Sequence, residues 1–349
     1  MSSIYDVVTP KLLKTEWEES EQDREPFLLE GFFNDVKQLG TELSRLQGNT
    51  PKTRPLDLSA YDVKALSLSR EAFGKINLEL PYFKNFLPIN EKMRQDLLVA
   101  LQTGNQQYID TLLNRIYNDN KTLLEDARVT REMMRAMIMT TGSIAFSSNG
   151  QAVAYDFGVP STHKKTISDA TAKWSASATA DPIKDITDWQ NEISRETGVK
   201  PTNLLMNQKT FNMLRNCDKV KNTIYVWGDA KVQPNERRVK EFVLDETGCT
   251  IYIYDKGYFA QGSNTFTQFI PDNVVSLFPD KLLGEFTFGT TPAEADLMSG
   301  TNAEVEIVDL GVALTREKLV DPVYSKLIVS MTGCPVLDVP NEIVIATVA

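Results

Sequence analysis

The stretch "YIDTLLNRIYNDNKTLLEDARVTREMMRAMIMTTG", residues 108–142, contains no proline, and its only glycine is its last residue. Apolar side chains recur along it at the three- and four-residue spacing of one helix face, as at Ile109, Leu113 and Ile116. The pattern predicts one helix over 108–141, about 50 Å long at 1.5 Å per residue. Helices of globular proteins average about a dozen residues. A helix of this length is expected to span its subunit and to organise a domain around itself.

Upstream, in residues 51–88, the spacing of apolar residues changes to a period of two. Apolar and polar residues alternate from Leu66 to Ser69 and from Ile76 to Leu80, and the glycine-containing turn "REAFGK" lies between them. The pattern predicts a β-hairpin with a single apolar face. Two strands alone are marginally stable in water, so this face requires a partner.

Capping and turn residues mark further elements. Helices are predicted at 90–104, 181–198 and 207–216, each beginning at a capping side chain, and the first two end at a glycine. Asn149-Gly150 predicts the turn of a second β-hairpin. Several strand patterns follow one another towards the C-terminus, so helices and strands are segregated rather than alternating. The sequence therefore predicts an α+β fold.

The composition is that of a folded, acidic protein. Apolar residues make up 42% of the 349 residues and charged residues 24%, which argues against disorder. Lys and Arg number 37 against 47 Asp and Glu, a net charge of -10 that repels nucleic-acid phosphates and anionic lipid. The first thirty residues are acidic and lack the apolar segment of a signal peptide, and no run approaches the ~20 apolar residues of a membrane span. We therefore expect a soluble protein of the cytosol.

The three cysteines, Cys217, Cys249 and Cys334, are far apart and odd in number. Their spacing fits neither a disulfide framework nor a metal-binding knuckle. A reducing compartment is the simplest expectation.

Candidate reaction groups are few. The single histidine, His163, lies in a polar stretch beside Lys164 and Lys165, and no Gly-x-Ser-x-Gly motif accompanies it. We expect His163 in an exposed loop or in a structural hydrogen bond, and we predict no catalytic residue.

No metal or cofactor site is predicted either. Asp181, Asp185 and Asp188 could share a helix face and hold a cation, but carboxylates in the first turns of a helix more simply complement its dipole. Neither a Gly-x-Gly-x-x-Gly motif nor a Gly-x-x-x-x-Gly-Lys-[Ser/Thr] motif occurs to cradle phosphates.

A short basic cluster, "ERRVK" at 236–240, is expected in a solvated loop or, alternatively, as a salt-bridge partner of another subunit. A long helix and a half-apolar hairpin make little sense in a monomer, and both fit a subunit that reaches across its neighbours. The candidates for contacts between subunits are Leu66, Leu68, Arg70, Glu71, Lys75, Ile76, Leu78, Arg237 and Arg238.

Five further segments carry a resemblance to a known family. They are "YDFGVPSTH" (155–163), "WSASATADPIKDITDWQNEI" (174–193), "NLLMNQKTFNMLRN" (203–216), "FIPDNVVSLFP" (269–279) and "DPVYSKLIVSMTGCPVLDVPNEIVIATV" (321–348). In this order, around a long helix preceded by a hairpin, they resemble the lambda-type major capsid protein E family of tailed phages, which has the Hong Kong 97-type fold. The resemblance covers roughly residues 27–349.

The resemblance implies a layout for the chain. It consists of an N-terminal arm (1–50), an extended β-hairpin loop (51–88), a peripheral domain (89–171 and 271–349) with a spine helix (108–141), and an axial domain (172–270).

It also implies a function. The family's subunits form hexamers and pentamers of an icosahedral shell, which tilt and flatten when double-stranded DNA is packaged. The expected partners are further copies of the chain and scaffolding, portal and decoration proteins, with the DNA enclosed but not bound by sequence and with no membrane. The expected location is the virion, after assembly in the cytoplasm of a host bacterium. Some relatives cross-link a loop lysine to an asparagine of a neighbour; Lys64, Lys75 and Lys84 lie in the loop here, without a motif that supports the reaction.

Two alternatives stay open. One is an encapsulin-like compartment protein of the same fold, which encloses a cargo enzyme instead of a genome. The other is an enzyme of unrecognised class, which the missing motifs disfavour.

Overall fold

The computed structural model describes residues 9–20, 24–47, 74–89, 91–104, 106–225, 233–260, 264–299, 304–320 and 323–349. The chain forms two compact units. The first unit consists of Met1–Leu43, Asn77–Met134 and Glu285–Val336, and the second unit of Ser44–Ile76, Arg135–Gly284 and Leu337–Ala349.

Among the described residues the helices are α1 (Pro10–Glu19), α2 (Glu91–Thr103), α3 (Gln106–Thr141), α4 (Pro182–Thr197), α5 (Gln208–Asn216), α6 (Asp218–Ile224), α7 (Glu236–Thr247) and α8 (Pro292–Ser299). The strands are β1 (Phe33–Lys37), β2 (Glu42–Gln47), β3 (Gly74–Glu79), β4 (Tyr82–Ile89), β5 (Ser143–Ser148), β6 (Gln151–Asp156), β7 (Lys164–Thr166), β8 (Asn203–Met206), β9 (Thr250–Ile253), β10 (Gly257–Phe259), β11 (Phe266–Gln268), β12 (Val274–Phe278), β13 (Gly284–Phe288), β14 (Glu304–Asp309), β15 (Val312–Val320), β16 (Val323–Leu337) and β17 (Val344–Thr347). No helix in this part of the chain is long and apolar enough to cross a membrane.

The predicted long helix is confirmed as α3, one continuous helix of 36 residues. Ile116 and Leu124 lie on its buried face. The helix ends at Gly142, whose φ of +74° is a conformation that residues with a side chain rarely adopt. A Cβ at Gly142 would also lie 2.8 Å from Cγ2 of Val159, so the stop is specified both by backbone conformation and by packing.

The first unit is built on a six-stranded sheet in the order β1-β13-β16-β15-β14, with β4 also paired to β16. β16 is 15 residues long and pairs with β15 from Val323 to Met331 and with β4 from Ser325 to Thr332. The sequence places residues 82–88 in the extended loop, whereas the structure makes them most of strand β4. Their partner on β16 lies more than two hundred residues away, with Ile89 opposite Ser325, and no local pattern reveals such a pairing.

The strand predicted from Ile76 is present, but it begins two residues earlier. Gly74 and Lys75, predicted in the turn, are the first residues of β3, and β3 pairs with β2 in a two-stranded sheet. The predicted alternation of apolar and polar residues is visible at its end: Leu78, within β3, is half-buried, and Leu80, just after β3, is buried. The predicted partner strand, Leu66 to Ser69, lies outside the described residues.

The second unit is built on a five-stranded sheet in the order β7-β17-β12-β8-β9. β17 runs antiparallel to β12 and parallel to β7, and β8 runs antiparallel to β12 and parallel to β9. All four residues of β8 are buried, as expected of a strand covered on both faces. The core of this unit is a cluster that includes Trp174, Ile186, Phe211 and Val243.

Capping side chains start the helices of the second unit as predicted. Asp181 accepts the backbone N–H of Lys184 and Asn207 accepts that of Thr210. Helix α4 ends at Gly198, with φ of +77°. The predicted second hairpin is β5–β6, and its turn residues Asn149 and Gly150 both have positive φ.

Mixed, segregated helices and strands confirm the α+β class. The predicted axial domain lies inside the second unit, which also holds residues 135–171, and the limits of the predicted domains stay a prediction.

Candidate assembly surfaces

The only histidine is a structural residue. His163 is fully buried, and its Nε2 lies 2.9 Å from Oε2 of Glu196. The expectation of an exposed loop is wrong, because a 3-10 turn after Pro160 folds the ring inward, with the His163 N–H bonded to the Pro160 carbonyl at 2.9 Å. The alternative expectation, a structural hydrogen bond, is confirmed.

The three aspartates of α4 are committed to other partners. Asp181 caps the helix and pairs with Lys219 at 2.8 Å, Asp185 accepts the indole N–H of Trp174 at 3.0 Å, and Asp188 pairs with Lys184 at 2.7 Å. Burial raises the pKa of the Asp185 carboxyl above its usual range. These carboxylates cap the helix and fix its neighbours. No group of acidic, cysteine and histidine side chains in the described ranges is arranged to hold a metal ion.

All three cysteines are buried as free thiols. Burial raises the pKa of Cys217 to about 12, and it raises the pKa of the Cys249 and Cys334 thiols as well. A protonated, buried thiol is a poor nucleophile. These residues therefore act as small core side chains.

The predicted contacts between subunits are only partly described. Leu66, Leu68, Arg70 and Glu71 lie outside the described residues, as does the lysine candidate Lys64. Lys75 and Ile76 fall within β3, and Leu78, further along the strand, is half-buried. Lys84 lies exposed on β4. The role of these residues at an interface stays a prediction.

The basic cluster at 236–240 is the start of helix α7, so the prediction of a loop is wrong. Asn235 caps the backbone N–H of Arg238, and the buried Val239 and Val243 recur at helical spacing. Arg237 is exposed and pairs with Glu241 at 2.8 Å, and Arg238 donates to the Tyr225 hydroxyl at 3.4 Å. Both arginines therefore have partners within their own subunit.

Three polar contacts, each with one buried charged side chain, join elements of the first unit. Arg131 donates to Oδ2 of Asp309 on β14 at 2.7 Å. Glu132, fully buried one residue later, accepts the backbone N–H of Leu29 at 3.0 Å and so holds the N-terminal segment against the helix. Lys37 of β1 reaches Glu294 of α8 at 2.8 Å. Arg131, Glu132 and Glu294 are the buried members of these contacts, and each would be costly to leave without its partner.

The structure adds a set of surface residues that the sequence did not reveal. Large apolar side chains lie exposed on both units. In the first unit they are Leu12, Leu39, Tyr82, Phe86, Leu98, Val99, Tyr108, Leu297, Ile307 and Leu310, and in the second unit Leu244, Phe259, Phe266 and Leu282. Exposed apolar residues are ordinary when they occur singly, so this set supplies candidate contacts where its members lie together, as Phe259 and Phe266 do.

Apolar side chains exposed on both units are compatible with contacts to other molecules. The family model "Phage major capsid protein E" matches residues 15–348. The chain belongs to the phage major capsid protein E family. The resemblance seen in the sequence is thereby confirmed, and the chain is a major capsid protein and a component of the virion.

Solved structures agree on the fold. A crystal structure assigned as a prophage capsid protein of E. coli CFT073 matches with a TM-score of 0.62 and 13% identity, covering 98% of this chain and 99% of that one. A phage-related protein of Bordetella bronchiseptica RB50 matches with a TM-score of 0.52 and 11% identity, covering 97% of each chain. At these identities the likeness shows the fold, which is the Hong Kong 97-type capsid fold. No curated protein matches the sequence.

Proposed function

We propose that this major capsid protein assembles into hexamers and pentamers, and that these close into the icosahedral head of a tailed phage around packaged double-stranded DNA. The observation that carries the proposal is the family match, which spans residues 15–348 and so includes nearly all of the described residues. Outward apolar side chains on both units supply the surfaces that an assembly would cover.

The charge of the chain supports enclosure of DNA without tight binding. A net charge of -10 repels phosphate, so DNA inside the shell stays mobile against its wall. We propose that scaffolding, portal and decoration proteins assist assembly in the host cytoplasm, and that the chain itself performs no catalysis.

The loop between β2 and β3 is the proposed arm towards a neighbouring subunit. The two strands pair with each other and bring the ends of residues 48–73 together. An insertion whose ends meet can be removed without opening the fold, because the cost of loop closure depends weakly on loop length. We therefore propose that the subunit folds without residues 48–73.

Replacing residues 48–73 with a short Gly-Ser linker tests this role. The variant is expected to stay soluble with nearly unchanged far-ultraviolet circular dichroism, and to form no closed shells. Normal shells would remove the bridging role, and an unfolded subunit would place the loop in its own core.

The variants Lys75→Gln and Lys84→Gln test cross-linking. Loss of covalent oligomers on denaturing gels would show that the replaced lysine forms a cross-link, whereas absence of such oligomers from the wild type would exclude cross-linking.

An encapsulin-like compartment is the second candidate, because it has the same fold. The family match favours the phage protein. Imaging of particles assembled in an infected or induced host, with nuclease-protected nucleic acid measured in parallel, distinguishes the two. Protected double-stranded DNA of genome length supports the phage head, and a protein cargo without DNA supports the compartment.

A further inference from the structure

Two phenylalanines form an exposed aromatic pair in the second unit. Phe259 of β10 and Phe266 of β11 lie directly opposite each other, and their rings meet edge to face with centroids 5.5 Å apart. Phe259 is 65% exposed and Phe266 is 49% exposed. We call these two residues the aromatic tip.

The rest of this small hairpin is anchored within its own subunit. Successive side chains of a strand point to opposite faces, so Tyr258 lies on the face opposite Phe259. The Tyr258 ring packs on Phe269 at 5.7 Å, and Phe269 stacks on the buried Tyr254 at 5.8 Å. Gln268, next along β11, accepts a hydrogen bond from the fully buried Asn207 at 3.1 Å. One part of the hairpin is therefore fixed, and its phenylalanine pair is left uncovered.

Glycine at position 257 specifies where the tip lies. A Cβ there would be 2.2 Å from the carbonyl oxygen of Thr267 and 2.7 Å from Cζ of Phe266. The backbone carbonyl cannot move away as a flexible side chain could. Only glycine at position 257 therefore leaves room both for the pairing of the two strands and for the Phe266 ring where it lies.

We propose that the aromatic tip packs against a second copy of this chain, an inference that rests on the proposed function and names one contact within it. The area of the tip selects this partner. Two phenylalanine rings, about half exposed, offer on the order of 200 Å², whereas a stable interface buries about 800 Å² on each partner. So small a patch cannot hold a free protein. It contributes where the partner is already kept nearby by other contacts, as a neighbouring subunit is.

Serine substitutions test the proposal. The double variant Phe259→Ser/Phe266→Ser is expected to keep the wild-type far-ultraviolet circular dichroism and Tm, because both rings are exposed, and to yield at least tenfold fewer closed shells. Thr267→Ala is the matched control, since Thr267 is exposed on the same strand with its side chain on the face opposite Phe266, and it is expected to assemble as the wild type does. Phe259→Leu/Phe266→Leu keeps apolar area and is expected to restore at least half of the yield. Normal assembly of the double serine variant would overturn the inference.

A photo-cross-linker identifies the partner directly. With p-benzoylphenylalanine at position 259, irradiated particles of mixed nitrogen-14 and nitrogen-15 subunits are expected to give peptides that join one label to the other. Cross-links only within one copy, or only to a different protein, would overturn the inference even if the serine variants fail to fold. A wild-type protein that forms no particles would overturn the proposed function and this contact with it. Wild-type particles without cross-links between copies would overturn the contact alone.

Discussion

Of the large apolar side chains that are exposed in the described part of the chain, ten belong to the first unit and four to the second. The first unit combines this surface with ion pairs between its elements: Arg131–Asp309 joins α3 to β14, and Lys37–Glu294 joins β1 to α8. The second unit has a continuous apolar core, and two of its four exposed large apolar side chains form one aromatic pair. We infer that the first unit supplies broad contacts of a shell and the second a smaller, more local one.

The largest expected effect comes from breaking α3, which organises the first unit. Leu124→Pro removes a backbone hydrogen bond and places the ring against the preceding turn, at a cost of about 3 kcal/mol or more. Leu124 is buried, so the kink also disturbs packing. Insoluble or misassembled protein is expected, measured as soluble yield and particle count. Leu124→Met, which keeps the helix and most of the volume, is the control; normal particles from the proline variant would show that α3 is not one packed helix.

Truncating a buried side chain in the core of the second unit should lower the free energy of unfolding much more than truncating an exposed one. Phe211→Ala removes a fully buried ring and is expected to lower the free energy of unfolding by about 3–5 kcal/mol. Phe259→Ala, which truncates the same residue type at an exposed position, is expected to change it by no more than about 0.5 kcal/mol. Urea denaturation of both variants measures the difference. Equal losses would contradict the division between core and contact surface.

The end of α3 gives an intermediate effect. Gly142→Ala forces a side chain into a left-handed conformation and against Val159, and we expect a loss of about 1–3 kcal/mol. Adding Val159→Ala relieves the contact but not the backbone strain. We therefore expect Gly142→Ala to lower the free energy of unfolding by less when Val159→Ala is already present than when Val159 is intact. A double-mutant cycle measures the difference. Strictly additive losses would show that Val159 does not define the stop.

The smallest effect is a dependence on pH at Asp185. Burial raises the pKa of this carboxyl in the folded state, so protonation favours folding. The resulting stabilisation is present below the unfolded pKa of about 3.9 and is lost as pH rises through the raised folded pKa. Asp185→Asn keeps an oxygen for the Trp174 indole and removes the buried charge. We expect its Tm at pH 7 to rise by up to about 2 °C, and the gain to vanish below about pH 4.

Asp188→Asn is the control for that experiment, because Asp188 is an exposed partner of Lys184. It is expected to lack the gain at pH 7. A gain of the same size in both variants would point to general charge reduction in an acidic protein and away from burial of Asp185.

Local signals predicted the elements whose causes are local. The long helix follows from its spacing and its lack of proline, and α4 follows from Asp181, Pro182 and Gly198, whose capping roles the structure shows. The helix at 236–247 also has local signals, the cap residue Asn235 and two valines four residues apart, but the basic run at 236–240 is equally typical of a solvated loop.

Long-range pairing could not be predicted from one sequence. Strand β4 pairs with residues 325–332 of β16, and β3 pairs with β2. Both partners are distant in the sequence, and no local pattern identifies them. The burial of His163 depends on Glu196, 33 residues away. The aromatic tip was not found for a related reason. Phenylalanines in a short strand normally indicate core, and only the tertiary structure shows that these two are uncovered.

The central claim is that this chain builds a shell from many copies of itself, and native mass spectrometry of the purified protein tests it most directly. Each copy has a mass of 39.2 kDa. We expect species at five- and six-fold multiples of that mass, and closed particles of many more copies as concentration rises or as added salt screens the repulsion between the acidic copies. A single compact species of one copy, over a wide range of concentration and salt, would contradict it.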